Sequence, residues 1–201
     1  MIEALQANFP EHTIISHDER ALYVVDEKPL KLGSGIRVHI TDPGVHHVYL
    51  HNPRQIPLLF DCFPENSFWH EDGEQCKQCE CIIFPKSCLP DDWVLAVEAK
   101  YASVETAFKK EIDYPNIMVT QIIDTITFLR NKGVIPNGKT VKALVAFPKL
   151  IEDFNAFFFT NTPSVEDILL NHRILIRAAN FASIRNNRKL YLGELRDFDA
   201  M

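Results

Sequence analysis

No stretch of the 201 residues is long and apolar enough to cross a membrane. The opening Met1-Ile2-Glu3-Ala4-Leu5-Gln6 lacks both the basic segment and the apolar run of a secretory leader. An excess of positive charge is missing as well. Lys and Arg number 21 against 27 Asp and Glu, a formal net charge of -6, with a sequence pI near 5.7. That argues against avid, sequence-blind attraction to a phosphate backbone. There is no internal repeat, no low-complexity tract and no Gly-rich loop to cradle phosphates. A disulfide framework is also absent. The five cysteines are odd in number, and four of them (Cys76, Cys79, Cys81 and Cys88) crowd one short stretch. With no leader, these features lead us to expect a cytoplasmic protein with reduced thiols and no membrane contact.

What the chain has is apolar mass. Hydrophobic residues make up 46% of it, enough for a sizeable core, and the length suggests a single domain over 1–201. The run at residues 93–101, Trp-Val-Leu-Ala-Val-Glu-Ala-Lys-Tyr, is broken only by Glu98 and Lys100. A continuous apolar run after the turn-like Leu89-Pro90-Asp91-Asp92 predicts a buried central strand. Side chains alternate along a strand, so Glu98 and Lys100 share a face. Burying a charge is costly unless it is paired or holds a metal. The two residues therefore read either as a structural ion pair or as a cation ligand beside a lysine that serves a water molecule.

The surroundings supply context. Residues 78–85 form a second short apolar strand in which Glu80 shares a face with Ile82 and Phe84. Residues 116–132 carry Met118, Ile122, Ile126 and Leu129 as an apolar helical stripe, with Gln121 beside it and Gly133 at the C-terminal cap. Residues 140–147 make a third apolar strand.

This order, a strand with an acid, a strand with Glu-x-Lys, a helix with Gln and a strand, resembles the core of the PD-(D/E)XK nuclease superfamily over residues 76–150. The resemblance implies an α/β (α+β) fold with a central mixed sheet flanked by helices, restriction-endonuclease-like over 61–201, with a β-rich N-terminal extension over 1–60. It implies a metal-dependent nuclease acting on nucleic-acid phosphodiesters, DNA rather than RNA. Glu80 and Glu98 would hold Mg²⁺, which Mn²⁺ can replace, with the Ala99 carbonyl completing the shell. Lys100 would serve the attacking water, and Gln121 would support the site. A partner protein or a homodimer fits such a core. Two departures are visible: the first acid is Glu80 where the family usually has Asp, and no Pro precedes it. The Glu for Asp change, with the acidic overall charge, favours the alternative of a catalytically inactive binding or assembly module.

Cys76-x-x-Cys79 is half of a familiar zinc motif, and Cys88 and His70 could complete four ligands. Against it, Cys79 and Cys81 alternate with Glu80 on an apolar strand, where free Cys packs as a small hydrophobe. No second Cys-x-x-Cys follows. A zinc-stabilised interaction domain is the less favoured reading.

The N-terminal region reads as strands and turns, with a β-hairpin joining 36–40 to 45–50 through Asp42-Pro43-Gly44. His46, His47 and His51 read as its solvated face. Asp61 reads as a cap or turn, or else as an upstream acid of the site. Phe68 and Trp69 fit either base stacking or a small cluster under a loop. Residues 102–113 suggest a short helix ended by Tyr114-Pro115. Residues 154–159 suggest an aromatic cover for a sheet edge, and Thr162-Pro163 a further helix start. Lys142, Lys149, Arg188 and Lys189 are candidate phosphate contacts, with solvated lysines and arginines as the commoner alternative.

Overall fold

Short β-prone runs and a few amphipathic ones alternate along the chain, and residues 1–194 are described in this computed structural model. The opening helix α1 (Ile2–Asn8) is followed by β1 (Ile14–His17), β2 (Ala21–Asp26), β3 (Ile36–His39), β4 (Val48–His51) and β5 (Leu58–Cys62). Then come β6 (Cys81–Pro85), β7 (Leu95–Ala99), α2 (Val104–Ala107), α3 (Tyr114–Asn131) and β8 (Val141–Ala146). The chain continues through α4 (Asn155–Phe158), α5 (Val165–His172), β9 (Ile174–Ala178), β10 (Phe181–Asn186) and β11 (Lys189–Leu192).

The strands form two mixed sheets. The larger has the order β1-β5-β6-β7-β8-β9 and the smaller β11-β10-β4-β2-β3. In the larger, β5, β6 and β7 run antiparallel to their neighbours, whereas β7, β8 and β9 run parallel. Parallel neighbours need a crossover. Helix α3 supplies it between β7 and β8, and α4 with α5 between β8 and β9. Every residue of β7 is buried, because both faces of the larger sheet are covered. That is why its sequence is continuous and not alternating.

One face packs on helices. Leu5 of α1, Met118, Ile122, Ile126 and Leu129 of α3, Phe158 of α4 and Ile168 of α5 meet Ile82, Phe84, Ala96, Ala143 and Val145. The other face packs on the smaller sheet, where Leu22, Val24, Val48, Leu50, Ala182 and Ile184 meet Phe60, Ile83, Leu95, Val97 and Leu144. The fold is thus mixed α+β, but the central sheet is flanked by helices on one face only; a second sheet takes the other.

The N-terminal residues are not a separate layer. They give α1, β1 and β5 to the first unit, and β2, β3 and β4 to a sheet completed by β10 and β11 from the far end of the chain. The hairpin between β3 and β4 does not form. Both strands pair antiparallel with β2, which lies between them. The connection over residues 40–47 is long enough to pass across β2, unlike the two-residue loops of tight hairpins. Residues 102–113 hold only the single turn α2. Helix α3 starts earlier than the sequence suggested, with Pro115 in its first turn, where a missing N–H costs nothing.

Candidate functional site

Strands β6 and β7 are paired with Cys81 opposite Val97 and Ile82 opposite Ala96. The Glu80 N–H donates to the Val97 carbonyl at 3.0 Å. That bond ties Glu80 to β7 next to Glu98, whose charge acts on it, and like charges repel.

Glu98 is fully buried. Lys100 Nζ lies 2.5 Å from its Oε1, and hydrogen bonds from Lys100 and the Glu80 backbone favour the charged carboxylate. Burial pushes the Glu98 carboxyl up to about 7, with the Lys100 ammonium holding it below where burial alone would put it. Burial, then the charge of Glu98, pushes Glu80 up to about 9. Burial works against the Lys100 ammonium, but the Glu98 carboxylate outweighs it and raises Lys100 above the ordinary lysine value. Lys100 stays charged, and Glu80 holds a proton at neutral pH.

The smaller sheet adds a third acid. Asp26 ends β2, and its N–H donates to Tyr101 Oη at 3.0 Å. Burial raises the Asp26 carboxyl, and Lys100 pulls it back. Burial also pushes Tyr101 up to about 12, so its hydroxyl stays neutral. Beside Asp26, Lys28 pairs with Glu65. Asp26, Glu80 and Glu98 thus face one ammonium, Lys100. Asp26, Lys28, Glu65 and Tyr101 were not visible as site residues in the sequence: the first three precede the core segment, Tyr101 merely ends the apolar run of β7, and none follows a spacing rule.

Helix α3 fixes the approach to Glu80. Gln121 Nε2 donates to the Gln78 carbonyl at 2.8 Å. One turn later the buried Thr125 Oγ1 accepts the Cys79 N–H at 2.7 Å. Gln121 thus holds backbone leading into Glu80, and its Oε1 is buried without a donor. Thr125 was missed, since a lone helical Thr carries no signal in sequence.

A divalent cation can be weighed against this arrangement. Among the described residues, no group of three or more His, Cys, Asp or Glu is placed to hold a metal ion. Mg²⁺ asks for less: it is commonly bound through one or two carboxylates, with waters and substrate oxygens filling the rest. The neighbouring carboxyls of Glu80 and Glu98 supply two such groups.

The other expected residues scatter. Ala99 is the last residue of β7, opposite Ala146, and adjoins Lys100. Lys149 is exposed just beyond β8, at the sheet end that carries Glu98. Lys142 pairs in register with Leu95, at the other end of β7, and its ammonium donates to the Leu190 carbonyl at 2.5 Å. Arg188 and Lys189 belong to the β10–β11 turn, near Asp91. That turn is tied to the start of β7 by Trp93 N–H donating to Asn187. These three are not brought to the acids.

Asp61 is neither a cap nor part of the cluster. It lies within β5, fully buried, 3.1 Å from His12 Nδ1. Phe68 is buried among Phe9, Phe63 and Phe128, whereas Trp69 is about half exposed (53%) and bonded to the Asn66 carbonyl. The thiols of Cys76, Cys79 and Cys88 each donate to backbone carbonyls. Burial pushes Cys76 up to about 11 and Cys79 further. Compared with known proteins, the chain matches no family model, no curated protein and no solved structure.

Proposed function

We propose that the protein is a divalent-cation-dependent hydrolase of nucleic-acid phosphodiesters, with a restriction-endonuclease-like core built from β5, β6, β7, α3 and β8. The observation that carries the reading is the buried Glu98 carboxylate. It lies fully buried, close to a second glutamate whose carboxyl its charge raises, and against Lys100. Once Glu80 loses its proton, three desolvated carboxylates face the one ammonium of Lys100, and a cation relieves that excess.

Glu80 and Glu98 hold Mg²⁺ or Mn²⁺, with the Ala99 carbonyl beside them. The bound cation polarises the phosphate and lowers the pKa of water. Lys100 holds positive charge where negative charge develops on the phosphate oxygens. Glu80 must give up its proton for the cation to enter. Gln121 and Thr125 keep the Glu80 backbone in place. Lys149 offers the phosphate backbone a contact at the same end of the sheet.

A second reading is an inactive binding or assembly module. The closed Lys100–Glu98 ion pair supports it, since the two charges satisfy each other without a cation. One experiment separates the two: cleavage of labelled single- and double-stranded DNA and RNA with Mg²⁺ or Mn²⁺. Cation-dependent cleavage that Glu98→Ala and Lys100→Ala both lose supports the hydrolase. No cleavage of any of these substrates leaves the module.

A further inference from the structure

A cavity lies away from the acids but at the same end of the larger sheet. It measures about 510 Å³ and sits at the C-terminal end of β9, within the about 300–1,000 Å³ typical of small-molecule sites. Glu98 is in register with Val145, and Val145 with Ala178 on the cavity wall. Two strand spacings of about 4.8 Å put the wall about 10 Å from Glu98. In sheets of parallel strands, this end is where ligands collect.

Its lining is chemically specific. Tyr49, His47 and Phe181 form the aromatic side. Tyr49 and Phe181 are register partners on adjacent strands. Their neighbours Val48, Leu50 and Ala182 face the inter-sheet core, so the rings point to the outer face of the smaller sheet. There the aromatics run on: Tyr23 lies 5.4 Å from Tyr49 and 4.8 Å from His47, and Tyr49 stacks on His51 at 6.2 Å.

The polar side is built too. Asn180 donates from Nδ2 to the Phe147 and Leu150 carbonyls at 2.8 and 2.7 Å. That fixes the amide and leaves Oδ1 buried with no donor. Arg177 Nε is also buried without an acceptor. Arg177 passes so close over Gly193 that a Cβ there would meet Nε at 2.5 Å. Glycine, at φ +66°, is what permits the approach. Asp153 completes the wall. The cavity therefore offers ring faces, the Arg177 guanidinium, the Asn180 amide and the carboxylates of Glu152 and Asp153.

An unpaired base that stacks and carries both donors and acceptors on its edges satisfies that set. Guanine does so with its O6 and N7 acceptors and its N2–H₂ donor. Thymine lacks the exocyclic amine. We propose that this cavity binds an unpaired guanine of a single-stranded nucleic acid, with the aromatic row of Tyr23, Tyr49 and His51 carrying the neighbouring bases. The proposal rests on the hydrolase reading and names its substrate class: a single strand whose scissile phosphate lies at Glu80 and Glu98.

Fluorescence anisotropy with EDTA present tests binding without cleavage. The probes are a short labelled thymine strand and the same strand with one central guanine. Wild type binds the guanine strand about tenfold tighter, the scale of one specific base-edge contact. Tyr49→Ala and Arg177→Gln each remove most of that preference while Glu98→Gln keeps it, and unchanged melting temperatures show that the variants are folded. Equal affinity of wild type for both strands overturns the proposal, as does a preference that survives in both cavity variants. A guanine preference in a protein that cleaves nothing sustains the cavity and rejects the hydrolase. Cation-dependent cleavage without the preference does the reverse.

Discussion

Gln121 reaches across from α3 to the carbonyl of Gln78, 2.8 Å away, and so grips the chain two residues before Glu80. A direct role at the cation is not what its nitrogen does. We expect Gln121→Ala to lower the melting temperature only slightly, since one such hydrogen bond contributes about 1 kcal/mol. The cleavage rate should fall by about tenfold or more, because small misplacements of reacting groups are costly. Thr125→Val should act mainly on stability, by about 1–3 kcal/mol, since it leaves the buried Cys79 N–H without an acceptor. Equal losses of rate and stability in the two variants would contradict this division.

The acid cluster makes stability fall with rising pH. Glu80 and Glu98 are raised from 4.5 to about 9 and about 7 when folded. Between those values the folded state binds more protons than the unfolded state, so the slope of stability against pH is negative. The contribution is complete below about pH 4.5 and disappears as pH rises through about 7 and then 9. Without divalent cations, the melting temperature should therefore decline from about pH 5 to 9, and Glu80→Gln should flatten that decline. Mg²⁺ should restore the alkaline side. A melting temperature that rises across this range would show that the acids are not desolvated as described.

His12 and Asp61 form a pair with side chains 1% and 0% exposed, among Phe9, Phe63 and Phe68. Removing one partner leaves a buried polar group without its hydrogen bond. Asp61→Ala should cost about 1–3 kcal/mol in urea unfolding. The double change His12→Phe with Asp61→Leu should recover much of it, because apolar replacements of buried pairs are often neutral. Failure of the double variant to recover would mean that the pair holds something besides itself.

Lys149 and Lys142 should behave differently although both are lysines of the same β8 region. Lys149→Ala should weaken nucleic-acid binding across all sequences and reduce the salt slope by about one. Lys142→Ala should leave that slope alone and lower stability, since its ammonium bonds the Leu190 carbonyl inside the fold. Matched slopes in the two variants would refute the placement. Titration of salt in an anisotropy experiment reads both.

Much of the core was legible because it is local. The continuous run of β7, the apolar stripe of α3 and the strands β6 and β8 follow from periodicity, and Glu98 and Lys100 stood out as charges within an apolar run. The smaller sheet was not legible. Nothing in residues 21–51 signals that β2 parts β3 from β4, or that β10 and β11 return to complete the sheet. Long-range pairing of this kind depends on packing rather than on propensity. Asp26 and Tyr101 were hidden for the same reason. Asp61 looked like a turn residue beside Pro64, yet β5 runs through it, and only its meeting with His12, 49 positions away, makes its burial tolerable.

The central claim is that Glu80 and Glu98 hold a cation beside Lys100. Calorimetric titration of Mn²⁺ near pH 8, in buffers of different ionisation enthalpy, tests it most directly. The account predicts binding to wild type with release of about one proton, because Glu80 must lose its own, and no binding to Glu98→Gln. Absence of binding to wild type, or equal binding by both, would contradict it.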